Sequence, residues 1–120
     1  MGKRSKELGY RWEADLVRWL RSLGWSNAKR YGSVNGTNDL GDIDGIPWVW
    51  QAKNVSQLGP ARLATFLDAA KRQAEAAGKR YYLVALKRRR KGVSDGYAIM
   101  PLWMAEEFMR KTIQEDASCV

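Results

Sequence analysis

The run Tyr81-Tyr82-Leu83-Val84-Ala85-Leu86 is the feature that most constrains this chain. Six consecutive apolar residues, bounded by Gly78 and by Lys87-Arg88-Arg89-Arg90-Lys91, have no alternation and are too short for a buried helix. They read as a strand buried on both faces. Such a strand belongs in the middle of a sheet covered on both sides, so the rest of the chain must supply helices for two faces. The helical patterns are present. Apolar residues at Leu8, Trp12, Leu16, Trp19, Leu20 and Leu23 predict an amphipathic helix over 5–23, with Gly24 as its stop. Pro60 to Ala77 predicts a second, with Leu63, Phe66, Leu67, Ala70, Ala74 and Ala77 inward and Gly78 ending it.

Between these helices, 25–31 is expected to hold a short strand and 32–38 a polar, glycine-punctuated loop. Gly41 to Gly45 and Trp48 to Lys53 read as a hairpin around Gly45-Ile46-Pro47. After the central strand come a basic turn and a short strand, 97–100, stopped by Pro101. A last helix from Leu102 to about Thr112 should carry Leu102, Trp103, Phe108 and Met109 on its apolar face, with the residues up to Val120 frayed. At 120 residues there is room for one core. The fold class is therefore α/β, a mixed central β-sheet flanked by α-helices in a single domain spanning 1–120.

Composition narrows the chemistry. The chain has no histidine, which excludes imidazole as base, nucleophile or zinc ligand. Its one cysteine, Cys119, excludes an internal disulfide and a thiolate metal cluster. Lys and Arg number 21 against 13 Asp and Glu, a net charge of +8 that points to a polyanionic partner. No apolar run is long enough for a membrane span and the basic start is no signal peptide, so the expectation is a cytoplasmic protein without a membrane partner.

Any catalysis must then use carboxylates, lysine and a hard metal. Four residues carry that possibility: Glu13 at the border of the first helix's apolar stripe, Asp42 before the turn, and Gln51 and Lys53 on the returning strand. Residues two apart on a strand share a face, so Gln51 and Lys53 point one way with Val49 while Trp48, Trp50 and Ala52 point the other. An even hairpin loop would pair Asp42 with Gln51. Phosphodiester hydrolysis wants such a set, with carboxylates to hold Mg²⁺ or Mn²⁺ and a lysine to neutralise the reacting phosphate. Each residue also has a plainer reading: Glu13 as a helix-surface acid paired with Lys6 or Arg18, Asp42 and Asp44 as turn-flanking residues, Lys53 as a strand-end charge. Trp12, Trp19, Trp48 and Trp50 read as core and not as base-stacking platforms. Gln73, close to the second helix's apolar face, needs a polar partner.

The run Gly41-Asp42-Ile43-Asp44-Gly45-Ile46-Pro47-Trp48-Val49-Trp50-Gln51-Ala52-Lys53-Asn54, with Glu13 upstream, resembles the PD-(D/E)XK nucleases, in particular archaeal-type Holliday junction resolvases and their bacteriophage relatives. The resemblance extends from Lys6 to about Arg88. It implies a restriction-endonuclease-like fold and a metal-dependent, structure-selective DNA endonuclease acting on branched DNA, such as four-way junctions, as a homodimer. Carried over, Glu13 is the helix-one acid, Asp42 the metal-binding aspartate, Gln51 the second motif position and Lys53 the catalytic lysine. The metal set is then Asp42, Gln51 and Glu13, with Asp44 the alternative to Asp42. Arg30 and Ser33 match the basic residue and loop serine of the junction-facing surface. The basic residues Lys3, Arg4, Lys6, Lys87, Arg88, Arg89, Arg90 and Lys91 are expected to meet phosphates. Gln51 departs from the family's Asp or Glu and brings no charge to a metal. Flap or single-strand exonuclease activity on the same site, and a catalytically degenerate basic DNA-binding module, are the other readings.

Overall fold

The computed structural model describes residues 2–31 and 41–118, with side chains from 7–31 and 41–115. The polar loop with Ser33 lies outside the described residues, as do the side chains of Lys3, Arg4 and Lys6. Three helices, α1 (Gly2–Ser22), α2 (Pro60–Ala77) and α3 (Leu102–Ser118), surround strands β1 (Lys29–Arg30), β2 (Ile43–Asp44), β3 (Trp48–Lys53), β4 (Tyr81–Leu86) and β5 (Tyr97–Ile99). A single 3₁₀ turn, Val93–Asp95, precedes β5.

β4 is the middle strand of a mixed three-stranded sheet, parallel to β3 and antiparallel to β5. The apolar run is buried on both faces, as its composition requires. Leu83 and Ala85 join Trp12, Leu16, Val17, Leu20, Ala28, Ile43 and Ile46 under α1. Tyr82 joins Val49, Ala70, Ala74 and Met104 on the side of α2 and α3. The indole N–H of Trp12 donates to the carbonyl of Ala85 at 2.9 Å, so the largest buried ring on α1 also satisfies its one polar atom.

The expected hairpin does not form. β2 pairs antiparallel with β1, Lys29 opposite Asp44 and Arg30 opposite Ile43, in a small second sheet. β3 takes β4 as its parallel partner through the α2 crossover. The turn signal at Gly45-Ile46-Pro47 marks a corner between sheets. At Gly45, with φ +85°, an added Cβ would lie 2.0 Å from the carbonyl oxygen of Asn27, so the chain can cross the 27–28 connection only without a side chain.

Three boundaries differ from expectation. α1 begins at Gly2, the strand expected over 25–31 contracts to Lys29–Arg30, and α3 continues to Ser118 where fraying was expected. On α3, Phe108 and Trp103 pack against Trp48, Tyr81 and Tyr82 as expected, but the other two residues of the expected stripe do not face inward. Met104 is fully buried, whereas Leu102 and Met109 are 86% and 65% exposed. Of the four tryptophans assigned to the core, Trp12 is buried and Trp19, Trp48 and Trp50 are half-buried; Trp48 stacks on Tyr81 and Phe108 at the start of β3. α2 keeps its expected limits, Pro60 in its first turn and Gly78 closing it in the left-handed region at φ 68°. Among the described residues no helix is long and apolar enough to cross a membrane.

Candidate active site

The parallel register places Lys53 opposite Leu86, and the backbone N–H of Lys87 donates to the carbonyl of Lys53 at 2.9 Å. The basic run 87–91 therefore starts where Lys53 ends, at the carboxyl ends of two parallel strands, the edge at which open α/β sheets place their ligands. Lys87 lies over the Trp12 ring (5.3 Å) on the α1 side, and Lys53 lies over the Phe66 ring of α2 (4.4 Å). In the turn itself the Lys87 ammonium donates to the Lys91 carbonyl at 3.3 Å, and Arg90 adopts φ 61°.

Asp42 is fastened along the outer edge of β3. Its N–H donates to the carbonyl of Trp50 at 3.1 Å, and its Oδ2 accepts the N–H of Ala52 at 2.7 Å. The two bonds straddle Gln51, so Asp42 stands at the level expected of it although no ladder joins β2 to β3. Its own carbonyl accepts the N–H of Tyr31 at 2.9 Å, which ties the β1 segment to the same edge.

Glu13 comes from α1, with its side chain 18% exposed and 3.5 Å from Nε of Arg30. Burial raises its pKa above the ordinary 4.5, and the negative charge of Asp42 pushes the same way. The charge and hydrogen bond of Arg30, and the charge of Lys53, act against both. Glu13, Asp42, Arg30 and Lys53 thus form one electrostatic group drawn from α1, the β2 approach, β1 and β3. Arg30 is held from behind by the Tyr10 ring at 4.3 Å, one helical turn before Glu13. Asp44 stands apart from this group; its carboxylate lies 3.9 Å from Lys29 at the far end of the small sheet. Arg18, offered as a plain partner for Glu13, pairs with Asp15 instead.

Gln51 shares its strand face with Lys53 as expected, but that face belongs to α2. Its Nε2 donates to Oε1 of Gln73 at 2.7 Å, and both side chains are buried. The partner that Gln73 needed is therefore Gln51, whose amide is engaged with α2. Sequence reasoning missed Tyr10 and Phe66, which support Arg30 and Lys53. The spacing of Tyr10 three residues before Glu13 was the available signal.

Among the described residues no group of three or more Cys, Asp or Glu side chains is placed to hold a metal ion. Glu13 and Asp42 offer two carboxylates. That donor set suits Mg²⁺, which is commonly held by one or two carboxylates together with waters and substrate phosphate. A cleft of about 550 Å³ lies at the opposite end of the sheet, lined by Lys71, Lys79, Arg80 and Trp103 with Glu75, and is not part of this group. Comparison of the chain with family models, with curated proteins and with solved structures gives no match.

Proposed function

We propose that the protein is a Mg²⁺- or Mn²⁺-dependent, structure-selective DNA endonuclease, a Holliday junction resolvase in its substrate preference. The observation that supports this reading best is the convergence, at one sheet end, of the Glu13–Asp42 pair, Lys53 and the five-cation run 87–91. Glu13 and Asp42 would hold the divalent ion, which would supply an activated water and offset negative charge on the phosphate oxygens. Lys53, fixed on the rigid β3 and leaning on Phe66, presents its ammonium to a non-bridging phosphate oxygen and stabilises the charge that grows there in the transition state. Arg30 holds Glu13 in place, and the 87–91 turn binds neighbouring phosphates without reading bases. Hydrolysis adds water across one P–O bond, leaving a phosphomonoester and a hydroxyl. Two opposed cuts in a four-way junction call for two equivalent sites, hence a homodimer.

The second reading, a basic DNA-binding module with no activity, draws on one observation: Gln51, the motif position that departs from the resemblance, is engaged with Gln73. A panel of four-way junctions, flaps, single strands and linear duplexes, incubated with Mg²⁺ or Mn²⁺, separates the two. The expected result is paired cleavage of the junction, reduced about 10²- to 10³-fold or more in Lys53→Ala while DNA binding stays within a few-fold. Preferential cutting of flaps or single strands would replace the junction assignment but keep the nuclease. Tight DNA binding without cleavage of any substrate would make the binding module the better reading.

A further inference from the structure

Helix α3 leaves the body of the protein halfway along its length. Met104 is fully buried and Phe108 stacks on Trp48, but every described side chain from Met109 to Glu115 is exposed. The exposed part is not uniformly polar. Leu102, Met109 and Ile113 are 86%, 65% and 66% exposed, and at the pitch of an α-helix they fall within about 40° of one another. Glu106 lies in the same stripe and Arg110 flanks it, joined to each other at 2.6 Å and both well exposed. These two turns are exposed along every described side chain, whereas helices in proteins draw most of their stability from a packed face.

The order along this stripe is apolar, acidic, apolar, basic, apolar. Reversed end to end, the pattern is the same with its charges exchanged, so the surface is complementary to itself in an antiparallel arrangement. In a parallel pair Glu106 would face Glu106 and Arg110 would face Arg110, which is repulsive.

We propose that α3 pairs with α3 of a second copy of this chain, antiparallel about a two-fold axis passing near Phe108. Leu102 packs against Ile113 of the other copy, the two Met109 side chains flank the axis, and each Glu106 lies across from Arg110 of its mate. This isologous contact uses one patch twice. It buries less than a standard interface of roughly 1,600 Å², so association is reversible and concentration-dependent. The inference rests on α3 alone and stands whether or not the chain is a nuclease.

Sedimentation equilibrium of the full chain from micromolar to submillimolar concentration should show the average mass rising from 13.7 kDa towards twice that value. Ile113→Lys, at an exposed position, should leave the circular dichroism of the fold unchanged and weaken association about tenfold or more. Glu106→Arg should weaken it and Glu106→Arg with Arg110→Glu should restore it. Orientation is read in a Cys119→Ser background. An oxidised mixture of Leu102→Cys and Ile113→Cys chains should yield the mixed disulfide, and Ile113→Cys chains alone should not cross-link. A mass that stays monomeric at all concentrations, an Ile113→Lys chain that associates as well as the parent, or disulfides formed by Ile113→Cys alone would each overturn the proposal.

Discussion

Glu13 gathers the opposing demands of the site in one carboxyl group. Burial and the Asp42 carboxylate favour its proton, Arg30 and Lys53 oppose it, and the balance lies above the ordinary 4.5. Folded chain therefore holds that proton more tightly than unfolded chain. Between 4.5 and the raised value the folded state binds more protons, so this group's contribution to stability declines as pH rises through that window and is level above it. Glu13→Gln removes the titration. Urea unfolding at a series of pH values, with a chelator present, should show the stability of the parent relative to Glu13→Gln falling as pH climbs above 4.5, then levelling. A constant difference would mean that Glu13 is not desolvated at the sheet end. Adding Mn²⁺ should shrink the decline, because a bound cation stabilises the carboxylate and lowers its pKa.

At the scale of elements, sequence patterns resolve best where one local rule acts without competition. α2 needed only Pro60 at its start and Gly78 past its end, and β4 needed only its unbroken apolar run. The hairpin failed because a glycine–proline corner signals a change of direction and leaves the strand's partner open; β3 found β4 through a crossover that no local pattern contains. The parity of β3 was legible, so Gln51 and Lys53 were placed on one face, but which helix covers that face is a property of the packed sheet. α3 illustrates the same limit, since two apolar stripes compete at helical spacing and only tertiary contact selects Met104 over Leu102. The basic run 87–91 was legible as charge, whereas its adjacency to Lys53 comes from the parallel register. That adjacency gives it a measurable role. Neutralising Lys87, Arg88, Arg89 and Lys91, with glycine replacing Arg90 to accept its φ of 61°, should weaken binding to all DNA sequences alike. The dependence of log K on log salt should flatten by about 0.9 for each phosphate that the turn no longer neutralises. An unchanged slope would return the run to an ordinary solvated turn.

Across the whole molecule the candidate site is divided between unequal parts. Lys53 stands on the three-stranded sheet, packed on both faces, whereas Arg30 belongs to a two-residue ladder and Asp42 to the stretch leading into it. Few ladder bonds hold that smaller sheet together, although Ala28 and Ile43 anchor it in the core under α1. Local opening should therefore begin there, at a free energy below that of global unfolding. The amide of Ala52 reports on this event directly, because its N–H faces away from β4 and its acceptor is the Asp42 carboxylate at 2.7 Å. Native-state hydrogen exchange should show Val84, on the central strand and fully buried, protected to the level of global unfolding, with Ala52 exchanging through a smaller opening. Asp42→Ala should then accelerate Ala52 by removing its acceptor while leaving Val84 governed by whatever global stability remains. Asp42→Asn, which keeps a side-chain oxygen in place, should preserve the protection of Ala52 even though it removes the charge a metal would need. Equal protection of Ala52 and Val84 in the parent chain would show that the two sheets open as a single unit, with the site assembled for as long as the protein is folded.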